Sequence, residues 1–197
     1  MEILNIFPTP VYRTNLGDIL SEESLEHITK LKTEKLFDAV PNISSSDDVL
    51  SSDRLDALRV AIQKHLQIFG DILFGAGLEF YISSSWVTKS DTLQFGERHS
   101  HVNSIISGSF YVSPNPSSII FYRESKSTIH MFSNNDSNYY NKTIIPIQPN
   151  KNDLILFPSS LEHSISKNTD NVSRFSVVVN SYIRGQMMSK YAKLEIK

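Results

Sequence analysis

The stretch FGERHSHVNSIISGSFYV, residues 95–112, sets the interpretation of the whole chain. It places His99 and His101 one residue apart, next to a run rich in β-forming residues. Alternate residues of a strand point to the same side, so both imidazoles can reach one ion. A third imidazole is available at His163, where an apolar strand, 153–157, runs through a Pro-Ser-Ser turn into the next strand. Three such ligands suit an iron, zinc, copper or nickel centre with open positions. The competing interpretation is that these histidines sit at strand edges and bond to backbone groups.

The composition narrows the classes of protein that fit. The 197 residues include 19 Lys and Arg, 21 Asp and Glu, and no Cys. A formal net charge of −2 gives no electrostatic indication of a nucleic-acid or membrane surface, and no apolar run is long enough to predict a transmembrane helix. The first residues lack the basic and apolar regions of a signal peptide. The lack of Cys excludes disulfides, thiol catalysis and cysteine zinc sites. We therefore expect a cytoplasmic protein.

The spacing of apolar residues changes once along the chain, from a helical pattern to that of short strands. Residues 20–37 and 52–74 have the period of helices, with Ser21 as a candidate N-cap of the first. The apolar stripe of the second consists of Leu55, Leu58, Ile62, Phe69 and Leu73. Short strands follow, and we expect them near 79–89, 104–113, 118–123, 143–148, 153–157, 163–167 and 173–183. Helices followed by many short strands predict helices packed outside a β-sandwich or barrel.

A second pattern follows the third histidine. Arg174 lies eleven residues after His163, and Ser176 follows it on the same face of a strand, while Phe175 points the other way. An arginine facing into a barrel is costly to bury unless an anion meets it. Its planar guanidinium fits a carboxylate with two parallel hydrogen bonds, and a serine hydroxyl adds a donor. The alternative is a surface arginine on an edge strand.

Four segments together resemble one family: FPTPVY at 7–12, HSHVNSIISGSFYV at 99–112, LILFPSSLEHSI at 154–165 and RFSVVVN at 174–180. The chain is similar over nearly its whole length to the 2OG-Fe(II) oxygenases of bacteria and phages, within the Fe(II)/2-oxoglutarate-dependent dioxygenases. If the gene is a phage gene, the cytoplasm in question is that of the host.

The resemblance implies a mainly β fold, a double-stranded β-helix or jelly roll with the N-terminal helices packed outside. The whole chain, 1–197, would be one domain: an N-terminal strand and helices (1–78), the jelly-roll core (79–184) and a C-terminal tail (185–197).

The resemblance also implies the chemistry. The histidines would bind Fe(II), and 2-oxoglutarate would chelate the iron while Arg174, helped by Ser176, pairs with its distal carboxylate. With O2 as the other co-substrate, the usual outcome is hydroxylation of a substrate with release of succinate and CO2. The primary substrate is not identified by the sequence.

The sequence departs from the wider superfamily at one ligand. Most members carry Asp or Glu two residues after the first histidine, where this chain has His101. A neutral site of three histidines is one arrangement, favoured by strand alternation. A second uses His101 and His163, with Asn103 at the carboxylate position and water filling the gap. In a third, Glu97 reaches back to supply the carboxylate.

Other residues are weaker candidates. Asn103 could orient a ligand or contact 2-oxoglutarate, or simply form a turn, and the phenols of Tyr111 and Tyr122 could reach the oxoacid or pack in the core. Trp86 is expected in the core, and Asn180 either lines the pocket or bonds a neighbouring strand. The loops expected to form the pocket rim, 38–54 and 125–142, are polar and suit a polar partner; the second contains His130 as a substrate contact. The apolar stripe of helix 52–74 could serve a homodimer.

Two other classes of function stay open. A cupin-like metal enzyme that needs no oxoacid would share the paired histidines, although residues 104–110 lack the acid that usually follows them. A non-catalytic jelly-roll binding module would carry these histidines incidentally.

Overall fold

The computed structural model describes residues 8–35, 37–114, 117–123, 138, 140–188 and 191–196. Two α-helices lie in this part of the chain, α1 (Glu22–Lys30) and α2 (Asp56–Phe74). The strands described are β1 (Tyr12–Asn15), β2 (Thr33–Glu34), β3 (Asn42–Ser44), β4 (Glu79–Ser90), β5 (Gly96–His99), β6 (Ile106–Tyr111), β7 (Ile119–Tyr122), β8 (Ile144–Ile147), β9 (Asp153–Pro158), β10 (His163–Ile165), β11 (Arg174–Met187) and β12 (Leu194–Ile196).

The strands form two antiparallel sheets that face each other. The larger sheet has the order β1-β9-β6-β11-β4-β3-β2, with β12 added to β11, and the smaller one has the order β5-β10-β7-β8. From β4 to β11 the chain passes repeatedly between the two sheets, which is the winding of a jelly roll. The prediction of a double-stranded β-helix with flanking helices is confirmed.

The segment before β4 is more structured than the sequence analysis expected. The first helix ends at Lys30, not at 37, because the chain turns there into the short β2–β3 hairpin. The second begins at Asp56, not at 52, and is preceded by two single turns of 3₁₀-helix. Thus the expected polar loop 38–54 contains β3 and two buried side chains, Val49 and Leu50.

The main hydrophobic core lies between α2 and the outer face of the larger sheet. The buried stripe of α2 consists of Leu58, Ile62, Leu66 and Phe69. Val177 and Val179 of β11 meet it, with Phe175 packed at the edge. Because side chains alternate along a strand, Arg174 and Ser176 point to the opposite face, between the two sheets. The predicted alternation of β11 is therefore confirmed.

β4 contains a bulge. Its pairing with β11 skips Ser83, so β4 carries one extra residue there. Val87 and Phe80, on either side of the bulge, both belong to the helix-side core although an odd number of positions separates them. Between the bulge and the end of the strand, Trp86 and Thr88 face the space between the sheets.

The end of the chain is not only a tail. β11 continues past 184 to Met187, and β12 pairs with it antiparallel.

Among the helices that the structure describes, neither is long and apolar enough to cross a membrane.

Candidate metal and oxoacid site

Two of the predicted ligands face each other across neighbouring strands of the smaller sheet. His99, at the end of β5, is the register partner of His163, at the start of β10. The Nδ1 atom of His99 lies 2.7 Å from the carbonyl oxygen of Glu97, and that of His163 lies 3.1 Å from the carbonyl oxygen of Leu161. A carbonyl only accepts, so each Nδ1 carries the proton and each Nε2 is left with a free lone pair. Histidines that bind metals typically donate their other ring N–H to a carbonyl or carboxylate in this way.

His101 reaches the same place by a different route. It lies beyond the end of β5, so the expectation that strand alternation aligns it with His99 is wrong. Its backbone N–H instead donates to the carbonyl oxygen of Ser159 at 2.9 Å. Its ring stacks on Trp86, with centroids 5.9 Å apart and planes 27° apart. Trp86 is half-buried beside the site and outside both hydrophobic clusters, so its assignment to the core is also wrong.

The three imidazoles form a compact group. One ring nitrogen from each of His99, His101 and His163 lies within 4.8 Å of the others, and no second group of three His, Cys, Asp or Glu is found in the described residues. Glu97 is exposed, is not in this group, and contributes its carbonyl to His99. Asn103 is exposed in a bend with φ of 55°, a backbone conformation that asparagine tolerates better than most residues.

The electrostatics of the group keep its buried rings neutral. Burial lowers the pKa of His163 to about 3 and that of His101 to about 4, and the neighbouring His99 adds to both effects. Neutral imidazole is the form that binds a metal. The donor set of three neutral nitrogens therefore fits a divalent transition metal such as Fe(II).

The predicted carboxylate clamp is buried between the sheets. Arg174 is 5% exposed and lies on β11, which is paired on both sides, so the alternative of a surface arginine on an edge strand is wrong. Burial lowers its pKa from the ordinary value. Ser176, the next residue on this face, shares a 2.6 Å hydrogen bond with the hydroxyl of Thr88.

Two buried hydroxyls next to Arg174 make no hydrogen bond of good geometry within the described residues. They are the phenol of Tyr111, which interacts electrostatically with Arg174 and has the Ser109 hydroxyl nearby, and the hydroxyl of Ser90, the register partner of Arg174. Burial raises the pKa of Tyr111, so its phenol stays protonated and can donate. Unsatisfied buried polar atoms are costly and rare. Around a buried guanidinium, they fit a bound carboxylate.

Tyr122 does not join this arrangement. Its neighbour Phe121 is the register partner of His163, so the side chain of Tyr122 leaves the smaller sheet on the opposite face. There its hydroxyl bonds that of Ser164 at 2.9 Å, and the guanidinium of Arg98 lies 4.2 Å from its ring centroid. The predicted contact of Tyr122 with the oxoacid is therefore not supported by the geometry.

Aromatic side chains line the site beneath the histidines. The ring of Phe157 lies 4.6 Å from that of His163, and Phe121 packs edge-on against Phe157 at 5.2 Å. These contacts keep one wall of the site apolar. The sequence signal for them was the apolar strand that precedes His163, but only the cross-strand register shows which members face the ligands. His130 and most of loop 125–142 lie outside the described residues.

Comparison with known proteins agrees with this geometry. Residues 84–180, which contain all three histidines and Arg174, match the model of a family described as "Putative 2OG-Fe(II) oxygenase". This segment, just under half of the chain, carries the similarity to the 2OG-Fe(II) oxygenase family. The match is thus to oxygenases that use Fe(II) and 2-oxoglutarate. No curated protein matches it.

Several solved structures share the fold at low identity. An oxidoreductase of the 2OG-Fe(II) oxygenase family from Burkholderia pseudomallei is 10% identical with a TM-score of 0.60, over 87% of this chain and 83% of its own. HygX from Streptomyces hygroscopicus, solved with nickel and 2-oxoglutarate, is 12% identical with a TM-score of 0.60, over 88% and 82%. A prolyl hydroxylase from Trichoplax adhaerens, solved with a hypoxia-inducible-factor peptide, is 13% identical with a TM-score of 0.61, over 87% and 83%.

Proposed function

We propose that His99, His101 and His163 bind Fe(II), and that Arg174, Ser176 and Tyr111 bind the distal carboxylate of 2-oxoglutarate. The observation that carries the proposal is the convergence of three ring nitrogens, all within 4.8 Å, inside the segment that matches the oxygenase family. The bound iron and oxoacid together supply the oxidation: O2 and 2-oxoglutarate are consumed, a substrate C–H becomes C–OH, and succinate and CO2 leave.

The chain itself supplies binding, orientation and the exclusion of water. The carbonyls of Glu97 and Leu161 hold two imidazoles with their Nε2 atoms directed away from the backbone. The guanidinium of Arg174 supplies a fixed positive charge and parallel donors for a carboxylate. The ring of Phe157 covers one side of His163 and limits the access of water to the site.

The remaining parts of the proposal concern the setting of the reaction. A polar primary substrate suits the Asn- and Ser-rich composition of segments 38–54 and 125–142. A reducing cytoplasm suits a chain without cysteine. A homodimer through α2 would cover Val60 and Ile72, which are exposed on that helix; light scattering at several concentrations tests it.

The experiment that tests the proposal is an anaerobic titration of metal-free protein, first with Fe(II) and then with 2-oxoglutarate. We expect a visible charge-transfer band that needs both additions. His163→Ala removes iron binding, whereas Arg174→Ala keeps iron and loses the band at wild-type oxoacid concentrations. Arg184→Ala is the matched control, because Arg184 lies on the same strand but is exposed beside Glu79 and Tyr81.

The other outcomes contradict the proposal in different ways. If iron binds and 2-oxoglutarate changes nothing, the clamp is structural and the protein works as a cupin-like enzyme without an oxoacid. If no iron binds to the wild-type protein, the histidine group is not a metal site and a binding module is the better interpretation.

A further inference from the structure

His101 differs from the other two candidate ligands in how its ring is held. His99 and His163 lie in paired strands, and a backbone carbonyl lies against the Nδ1 atom of each. His101 follows the last residue of β5, and its backbone N–H donates to the carbonyl of Ser159. Its ring makes no hydrogen bond of good geometry with the described residues, although the amide of Asn180 lies near it. The orientation of this ring therefore depends on other contacts.

Rotation about the Cβ–Cγ bond is the motion that such contacts must restrict. This torsion has broad minima in histidine, so the backbone alone does not set the tilt of the imidazole plane. A metal ligand must be held to within about half an ångström and about 20° of its productive geometry. A flat group packed against the imidazole restricts the rotation, because tilting the ring would push its edge into that group.

Trp86 supplies a flat group of this kind. The indole and the imidazole of His101 have centroids 5.9 Å apart and planes 27° apart, within the range of offset-stacked aromatic pairs. Among the ring contacts of the described residues, Trp86 meets His101 and neither of the other two histidines. The indole therefore packs against His101 from outside the group of candidate ligands.

The indole is itself held by the larger sheet. Trp86 is the register partner of Val178 in the pairing of β4 with β11, and β4 also pairs with β3 on its other side. Its side chain is half-buried between the sheets, on the same face as Thr88. Groups on paired strands are placed more precisely than groups on loops. The stack thus supports the segment after β5 from a rigid part of the fold.

We propose that Trp86 is a positioning residue that fixes the plane of the His101 imidazole for metal binding. The inference rests on the proposed three-histidine site and adds the side chain that orients its third member. Because the flat face of the indole carries the effect, another aromatic ring at this position should replace it, and an aliphatic side chain should not.

The test is a titration of metal-free protein with Co(II), followed by its visible d–d absorption, which needs no substrate and no turnover. Trp86→Leu keeps an apolar side chain and removes the flat ring. We expect its Kd for Co(II) to rise about three- to tenfold, with a changed band shape. Trp86→Phe keeps an aromatic ring, and its Kd should stay within about twofold of the wild-type value.

The matched control is Phe175→Leu. Phe175 is also half-buried and lies on the neighbouring strand β11, but it packs at the edge of the helix-side core, on the opposite face of the sheet. This variant should lower the free energy of unfolding and leave the Co(II) affinity unchanged. The inference is overturned if folded Trp86→Leu binds Co(II) as the wild type does, or if either Trp86→Phe or Phe175→Leu loses as much affinity as Trp86→Leu.

The fluorescence of the wild-type protein gives a second measurement, because Trp86 is the only tryptophan of the chain. Co(II) bound by His101 should quench this emission with the same Kd as the d–d band, since the quencher lies next to the stacked indole. If Trp86→Leu does not fold, quenching with this Kd supports the inference and unchanged emission overturns it.

Failure of the proposed function gives a different result. If the wild-type protein binds no Co(II), the three-histidine site itself fails. Failure of the inference alone leaves wild-type binding intact and still abolished in His163→Ala.

Discussion

Replacing Tyr111 by phenylalanine removes a phenolic oxygen that is buried and makes no hydrogen bond of good geometry within the described part of the chain, although the Ser109 hydroxyl lies nearby. The remaining ring keeps its place in the smaller hydrophobic cluster, which also contains Phe121 and Phe157. The variant therefore isolates one polar atom. The proposed role of that atom is to donate to the oxoacid carboxylate beside Arg174, which predicts opposite effects on stability and on binding.

The magnitudes follow from the surroundings of the phenol. An unsatisfied buried polar group costs about 1–3 kcal/mol, so Tyr111→Phe should raise the free energy of unfolding of the ligand-free protein by up to that amount. A hydrogen bond to a charged group contributes about 1.5–3 kcal/mol, so the Kd for 2-oxoglutarate should rise about 10- to 150-fold. Because burial raises the pKa of Tyr111, the phenol stays protonated, and this loss should be the same at pH 7 and pH 9.

Urea unfolding of the apoprotein and anaerobic titration of the Fe(II) form with 2-oxoglutarate measure the two effects. Tyr122→Phe is the control: its hydroxyl is bonded to Ser164 on the other face of the sheet, so the change should cost about 0.5–1.5 kcal/mol and leave the oxoacid affinity unchanged. A Tyr111→Phe protein that is less stable than wild type and binds 2-oxoglutarate equally well would refute the reasoning.

Three further substitutions give separate tests. Arg174→Lys keeps the charge but loses the planar fork, so 2-oxoglutarate should bind about tenfold or more weakly, with Fe(II) affinity unchanged by the same titration. Gly108→Ala places a methyl group against Leu156 and 2.6 Å from the carbonyl oxygen of Ile155. This crowding should lower the free energy of unfolding, measured by urea denaturation, by about 1–3 kcal/mol. An unchanged unfolding midpoint would contradict this packing. Ser21→Ala removes the cap that accepts the N–H of Ser24 at 3.1 Å, and should cost about 1 kcal/mol in thermal unfolding without affecting metal binding.

The fold and most of the site were predictable because their signals are local. A period of two places Arg174 and Ser176 on one face, and the spacing of His99, His101 and His163 is specific to few kinds of site. The bounds of the helices were less predictable, since α1 ends where a short hairpin competes with it. A two-residue strand such as β2 has no signal in the sequence alone.

The errors over Trp86 and Tyr122 have one physical cause. The alternation of side chains along a strand shows that neighbouring residues face opposite ways. Only the register with which the strand pairs decides which face each residue takes. Tyr111 and Tyr122 look equivalent in the sequence, and yet they lie on opposite sides of their sheets relative to the histidines. Trp86 could be assigned to the site only once its strand was paired with β11.

The extra residue Ser83 reverses the alternation of side chains along β4, so that odd-numbered residues face the helices after it and even-numbered residues face them before it. On one side of it the strand gives Val87 to the helix-side core, and on the other side it gives Phe80. Without this one residue, the side chains on one side of the bulge would point to the opposite face of the sheet. Either Phe80 would leave the core, or Trp86 would turn away from His101. We therefore expect a deletion or insertion at Ser83 to be poorly tolerated, although this serine is exposed and touches neither of the proposed iron and oxoacid sites.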